Sequence, residues 1–189
     1  MRHGAGGQLA AGLVALGASA APAAAGGPYR WEVAVFEAAN GMPDALHPAV
    51  WTVMQLGALG AGPALGAAAW RAGRPDLAAR MVVGATASWA LAKAVKRVVD
   101  RGRPAALVPG TRVRGKEATA GGYPSGHAAV ATSLMAAAAS VSSPAAGGLA
   151  LAVGAARLYV GAHLPLDVVG GFGLGLAVDA AAHRYLRAR

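Results

Sequence analysis

Residues 157–183, RLYVGAHLPLDVVGGFGLGLAVDAAAH, decide how the rest of the chain is read. From Pro165 onward the stretch is apolar over close to the ~20 residues that a membrane-crossing helix needs. Gly161 lets a preceding helix end and turn, and Pro165 suits the first turn of a new one. An ionisable residue, Asp167, lies inside the apolar run, where such groups are costly and usually functional. His163 precedes it by four residues, a spacing that puts both on one face if the segment is helical.

Five more apolar stretches of comparable length lie upstream, at 8–26, 46–69, 77–95, 127–143 and 146–163, beside 165–183. The expected fold is therefore all-α, an integral-membrane bundle of about six transmembrane helices in a single domain spanning 1–189. Composition agrees. Hydrophobic residues make up 56% of the chain and charged residues 13%, against about 25% charged in ordinary soluble domains. The 28 glycines, with abundant Ala, suit close helix packing in a bilayer. Disorder is excluded by the wealth of Leu and Val. The net charge of +9 favours an anionic partner. The basic residues sit between apolar segments, which points to phosphate at a membrane and not to nucleic acid. With no cysteine, disulfides and thiolate chemistry are excluded.

Residues 1–26 have two readings, a first transmembrane helix or a signal-like segment, since Ala18-Ser19-Ala20 resembles a signal-peptidase site and Arg2 and His3 precede the apolar run. Residues 31–39 read as a short interfacial helix with Trp31, Val35 and Ala38 on one side and Glu32 and Glu37 away from it. Residues 70–80 form a polar hairpin, 142–148 a tight uncharged connection, and 96–126 one long basic loop. If six spans alternate, Arg71, Arg74, Arg80, Arg184, Arg187 and Arg189 share one side with Arg2. The long loop, Arg157 and His163 share the other. Arginines without a phosphate to bind are assigned to the cytoplasm, which places the long loop outside.

Three clusters carry chemistry. KRVVDRGRP (96–104) supplies Lys96 and Arg103, whose permanent cations match phosphate oxygens; alone, they could equally meet lipid headgroups. YPSGH (123–127) places Ser125 as a helix N-cap, Gly126 where backbone can approach a ligand, and His127 in a first turn. His127 is a candidate general acid, though a plain capped helix would look the same. In RLYVGAHLPLD (157–167), Asp167 can fix the His163 tautomer and leave the other nitrogen to attack; alone, this could be a structural pair. Arg157 would stabilise charge on a five-coordinate phosphoryl group. No carboxylate or multi-histidine cluster suggests a metal, and no Gly-x4-Gly-Lys-Ser/Thr loop suggests nucleotide hydrolysis.

In this order and spacing the three clusters resemble the type 2 phosphatidic acid phosphatase family, relatives of the vanadium haloperoxidases. The pattern is Lys-x6-Arg-Pro at Lys96, Arg103 and Pro104, then Pro-Ser-Gly-His at 124–127, then Arg-x5-His-x3-Asp at Arg157, His163 and Asp167. It covers roughly 46–185, and one departure is Ala156 where the family usually has Ser. The resemblance implies a haloperoxidase-like helical core, a phosphohistidine at His163 oriented by Asp167, and His127 protonating the leaving group. Lys96, Arg103, Ser125, Gly126 and Arg157 would hold the phosphoryl oxygens, with no metal and no cofactor. The expected substrate is a membrane lipid phosphate: phosphatidate, phosphatidylglycerol phosphate or a polyprenyl mono- or diphosphate. Two rivals stay open, a lipid phosphotransferase on the same fold and a non-enzymatic membrane lipid-binding or transport protein. Homo-oligomerisation is open as well.

Overall fold

A computed structural model describes residues 5–116, 119–139 and 145–188. Arg2, His3, Arg189 and the start of the 142–148 connection lie outside them. The described residues form helices and connecting loops: α1 (Ala5–Ala24), α2 (Arg30–Asn40), α3 (His47–Met54), α4 (Ala61–Arg71), α5 (Pro75–Lys96), α6 (Pro104–Leu107), α7 (Gly126–Ala139), α8 (Ala145–Tyr159) and α9 (Pro165–Arg187). The all-helical expectation holds. α1 and α9 are each long and apolar enough to cross a bilayer, and α7 and α8 are shorter apolar helices.

The apolar stretch 46–69 is not one span. It divides into α3 and α4, separated by a short 3-10 turn at Gln55–Gly57. The cause is Gly57-Ala58-Leu59-Gly60, followed by Pro63: small residues and a proline interrupt the helical hydrogen-bond ladder. The break has a use. A Cβ at Gly57 would lie 2.6 Å from the His127 carbonyl oxygen, so the turn packs directly on the backbone of the second motif. The stretch 146–163 also ends early. α8 stops at Tyr159, and Gly161 takes φ +75°, which turns the chain and frees His163 from the helix.

α7 is the centre of the bundle, with nine of its residues buried, and it packs against α5, α8 and α9. These contacts are made by Ala, Gly and small polar side chains, which let backbones approach closely. α1 lies along α9, where Gly12 and Gly173 face each other's helix: a Cβ on Gly12 would sit 2.6 Å from the Ala177 nitrogen.

α2 docks on the bundle through a partly polar face. Its inward face is Glu32, Phe36 and Asn40, all buried, while Trp31 and Val35 are exposed. The sequence pattern set Glu32 on the side away from Trp31 and Val35, and the Glu32 side is the one that packs inward. Asn40 donates to the Arg112 and Tyr159 carbonyls at 2.9 Å each and accepts from the Arg112 N–H. Glu32 meets an arginine.

Far from this end, Arg80 and Asp179 form a two-pronged buried ion pair, Nε to Oδ1 at 2.7 Å and Nη2 to Oδ2 at 2.6 Å. Gln8 of α1 donates to the same carboxylate at 2.7 Å. Asp179 is fully buried, so three helices meet on one carboxylate. Asp179→Ala removes the buried carboxylate that Arg80 and Gln8 share, and the expected cost of breaking such a pair is about 3–5 kcal/mol. Thermal unfolding in detergent should show a large fall in midpoint, with catalysis below that midpoint nearly unchanged.

Candidate active site

Four helices bring the three motifs to one end of the bundle. α5 ends there at Lys96, α7 begins there at Gly126, α8 ends there just after Arg157, and α9 begins there at Pro165. The YPSGH loop is held by two devices. Lys96 Nζ donates to the carbonyls of Gly121, Gly122 and Pro124 at 2.8, 2.9 and 2.7 Å. The Ser125 N–H donates to the Asp167 carbonyl at 2.8 Å. Ser125, wholly buried, directly precedes α7, and its hydroxyl accepts the Ala128 N–H at 3.4 Å, a long N-cap contact. An ammonium has three donors, and all three of Lys96 are on carbonyls.

Arg103, His127 and Arg157 line one cavity of about 240 Å³, with Trp51, Met54, Val113, Lys116 and Ala162 among its other walls. Arg103 is aimed by two carbonyls, Nε on Ala120 and Nη1 on Ala162, both at 2.7 Å. Arg157 places Nη1 2.8 Å from the Met54 sulfur, a weak acceptor, and its buried Nε has no hydrogen-bond partner. Among the described residues, neither arginine has a carboxylate within salt-bridge distance. Arg103 and Arg157, with Lys116 also on the wall, face one hollow with no carboxylate among its described lining residues, which suits an anion.

His163 lies in the loop between α8 and α9 and is only 3% exposed; it is not among the residues that line this cavity, although its chain neighbour Ala162 is. Its Nδ1 is 3.5 Å from Asp167 Oδ2, too long and poorly aligned for a hydrogen bond here. Catalytic contacts of this kind are commonly long without substrate and shorten in the complex. Burial pushes the imidazole down to about 3; Asp167 opposes this, and Lys96 and Arg157 add to it. His163 is therefore neutral at neutral pH, the state a nucleophile requires. Asp167 sits at the third position of α9. Its Oδ2 accepts the Leu164 N–H at 2.8 Å and its Oδ1 accepts Arg101 Nη1 at 2.9 Å.

Two residues of this region escape a motif-based reading. Arg101, in the middle of the first motif, is buried and pairs with both Asp167 and Glu32. Arg114, one of the loop cations, is committed to structure: it pairs with Asp44 at 2.7 Å, donates to the Asn40, Met42 and Tyr159 carbonyls, and stacks over the Tyr159 ring. The only available signal was the run of basic residues, which does not separate an anchoring arginine from a ligand-facing one.

With helices of this order meeting at such a site, residues 77–189 match the PAP2 superfamily model, and the chain belongs to that superfamily. Two solved structures share the fold. The chain is similar to LpxE of Aquifex aeolicus, with a TM-score of 0.73 at 19% identity over 83% of this chain and 97% of that one. It is similar also to a transmembrane PAP2 type phosphatidylglycerolphosphate phosphatase from Bacillus subtilis, with a TM-score of 0.75 at 20% identity over 96% of each chain. No curated protein matches. The fold is thus that of membrane PAP2 phosphatases.

Proposed function

We propose that this chain is a membrane lipid phosphatase that hydrolyses a lipid phosphomonoester or pyrophosphate through a phosphohistidine at His163, without a metal. The observation that carries this reading is the shared cavity of Arg103, His127 and Arg157, two arginines with no described carboxylate in salt-bridge reach and an imidazole, with His163 next in the chain to its lining residue Ala162 and within the field of Arg157. In this mechanism Arg103 and Arg157 take the phosphoryl oxygens, and their charge offsets what builds up in the five-coordinate transition state. Asp167 holds the Nδ1 side of His163, and Nε2 attacks phosphorus. His127 gives its proton to the departing lipid oxygen and then draws one from the water that cleaves the phosphohistidine. Ser125 and the Gly126 amide complete the oxyanion contacts. Lys96 contributes charge from beneath and shapes the loop, since its three donors already serve the Gly121–Pro124 carbonyls.

An amphiphilic substrate suits the walls. Trp51, Met54, Ala105 and Val113 give the cavity an apolar lip beside its cations. The exposed Trp31 and Val35 of α2 lie on the same end of the chain's fold, as expected for a helix at the membrane surface. Arg71, Arg74, Arg184 and Arg187 cluster at the opposite ends of α4, α5 and α9. The loop at the site end is more basic still, but these arginines have no phosphate to bind; we therefore take their end as cytoplasmic and the site as extracytoplasmic.

The test is phosphate release in detergent, with a chelator present, across phosphatidate, phosphatidylglycerol phosphate and prenyl mono- and diphosphates. Turnover of at least one lipid, inhibited by vanadate as a five-coordinate mimic, is the expected result. No release from any of them, or release that stops on chelation, refutes the reading.

A further inference from the structure

Glu32 has no part in the phosphoryl chemistry above, and it lies far upstream of every motif, yet its side chain is wholly buried. Its Oε2 accepts Arg101 Nη2 at 2.7 Å, and its Oε1 accepts the Leu166 N–H at 3.0 Å. That N–H belongs to the first turn of α9, where backbone donors have no helical partner. The other terminal nitrogen of Arg101 reaches Asp167 Oδ1. A continuous ionic chain therefore runs from Glu32 through Arg101 to Asp167 and ends 3.5 Å from His163 Nδ1. Stability does not account for it, because buried ion pairs roughly break even against well-packed apolar side chains. The planar fork of arginine, with two terminal nitrogens at fixed angle, suits bridging two fixed carboxylates in a way lysine does not.

We propose that Glu32 and Arg101 are positioning residues for His163. They hold Asp167 ionised and correctly turned, so that the imidazole keeps its proton on Nδ1 and presents a bare Nε2 to the cavity. α2, outside the matched family region of 77–189, thereby becomes part of the site. The effect on turnover rests on the phosphohistidine reading; the tautomer preference does not.

The experiment uses the full chain in detergent, with 15N-histidine labels and the His163 signals assigned by comparison with His163→Gln. The wild type should show Nδ1 protonated and Nε2 bare. The double variant Glu32→Gln/Arg101→Met removes one charge of each sign, and Phe36 and Asn40 still dock α2. It should lose the tautomer preference, and kcat should fall roughly 10- to 100-fold, as when the group behind a ligating side chain is removed. KM should change little, because Arg103 and Arg157 are untouched. Arg101→Lys should lie between the two. Glu32→Gln alone, nearly isosteric, should shift the same signals to a smaller extent, and it serves if the double variant does not fold. Wild-type nitrogen signals and wild-type kcat in these variants overturn the proposal and leave the network a purely structural one. A wild type that shows and loses the tautomer signature as described, yet releases no phosphate from any lipid, keeps the relay and refutes the phosphatase reading instead.

Discussion

His163→Ala is expected to release no measurable phosphate from any lipid substrate, a loss of about 10⁴-fold or more. The magnitude follows from the role. If phosphorus is attacked by the imidazole, removing it removes the covalent route, and the arginines are left to bind a phosphate that nothing attacks. The measurement is a chelator-containing release assay, with His163→Gln as a second variant closer in volume. Thermal unfolding of both controls for the loss of a side chain that is only 3% exposed. Undiminished, chelator-resistant turnover in a folded His163→Ala protein would end the proposed mechanism.

Arg157→Gln should separate catalysis from stability. The Arg157 guanidinium is held beside the Met54 sulfur, with an unpartnered Nε and, among the described residues, no carboxylate within salt-bridge distance. Burying a charge without a counter-charge is costly, so its presence calls for an anion that arrives from outside. Loss of one aligned donor to a developing oxyanion typically costs about 10²–10³ in rate, or ~3–4 kcal/mol. The expected result is a fall of that size in kcat/KM, with an unfolding midpoint that stays level or rises. Added phosphate or vanadate should raise the midpoint of the wild type, through linkage between binding and folding, and raise that of the variant much less. Equal stabilisation of both by vanadate would remove Arg157 from the anion site.

The sequence carried the parts of this site that repeat as local signals. Pro165 and Gly161 mark where α9 begins and where the chain turns after α8, and the turn is what lets His163 face Asp167 without one continuous helix. Other features depend on partners distant in the chain. Glu32 read only as lying on the side of a short helix away from Trp31 and Val35, and its role was not legible because its cation, Arg101, is separated from it by 69 residues. The 46–69 stretch read as one span because hydropathy averages over glycines, whereas helical continuity is lost between Gln55 and Gly60; Gly62 and Gly66 lie inside α4. Lys96 matches the phosphate-binding position by spacing, but spacing does not show that its donors are already spent on three carbonyls.

The bond between Glu32 and the Leu166 N–H joins residues 134 positions apart, and that separation sets a schedule during synthesis. At about 5–20 residues per second, the ribosome delivers the second partner roughly 7–27 s after the first. Arg101 follows Glu32 by 69 residues, so the carboxylate gains its cation about halfway through that interval and its amide partner only at the end. Asp167 and the start of α9 are made last, so the proposed site is complete only once the final helix has been synthesised.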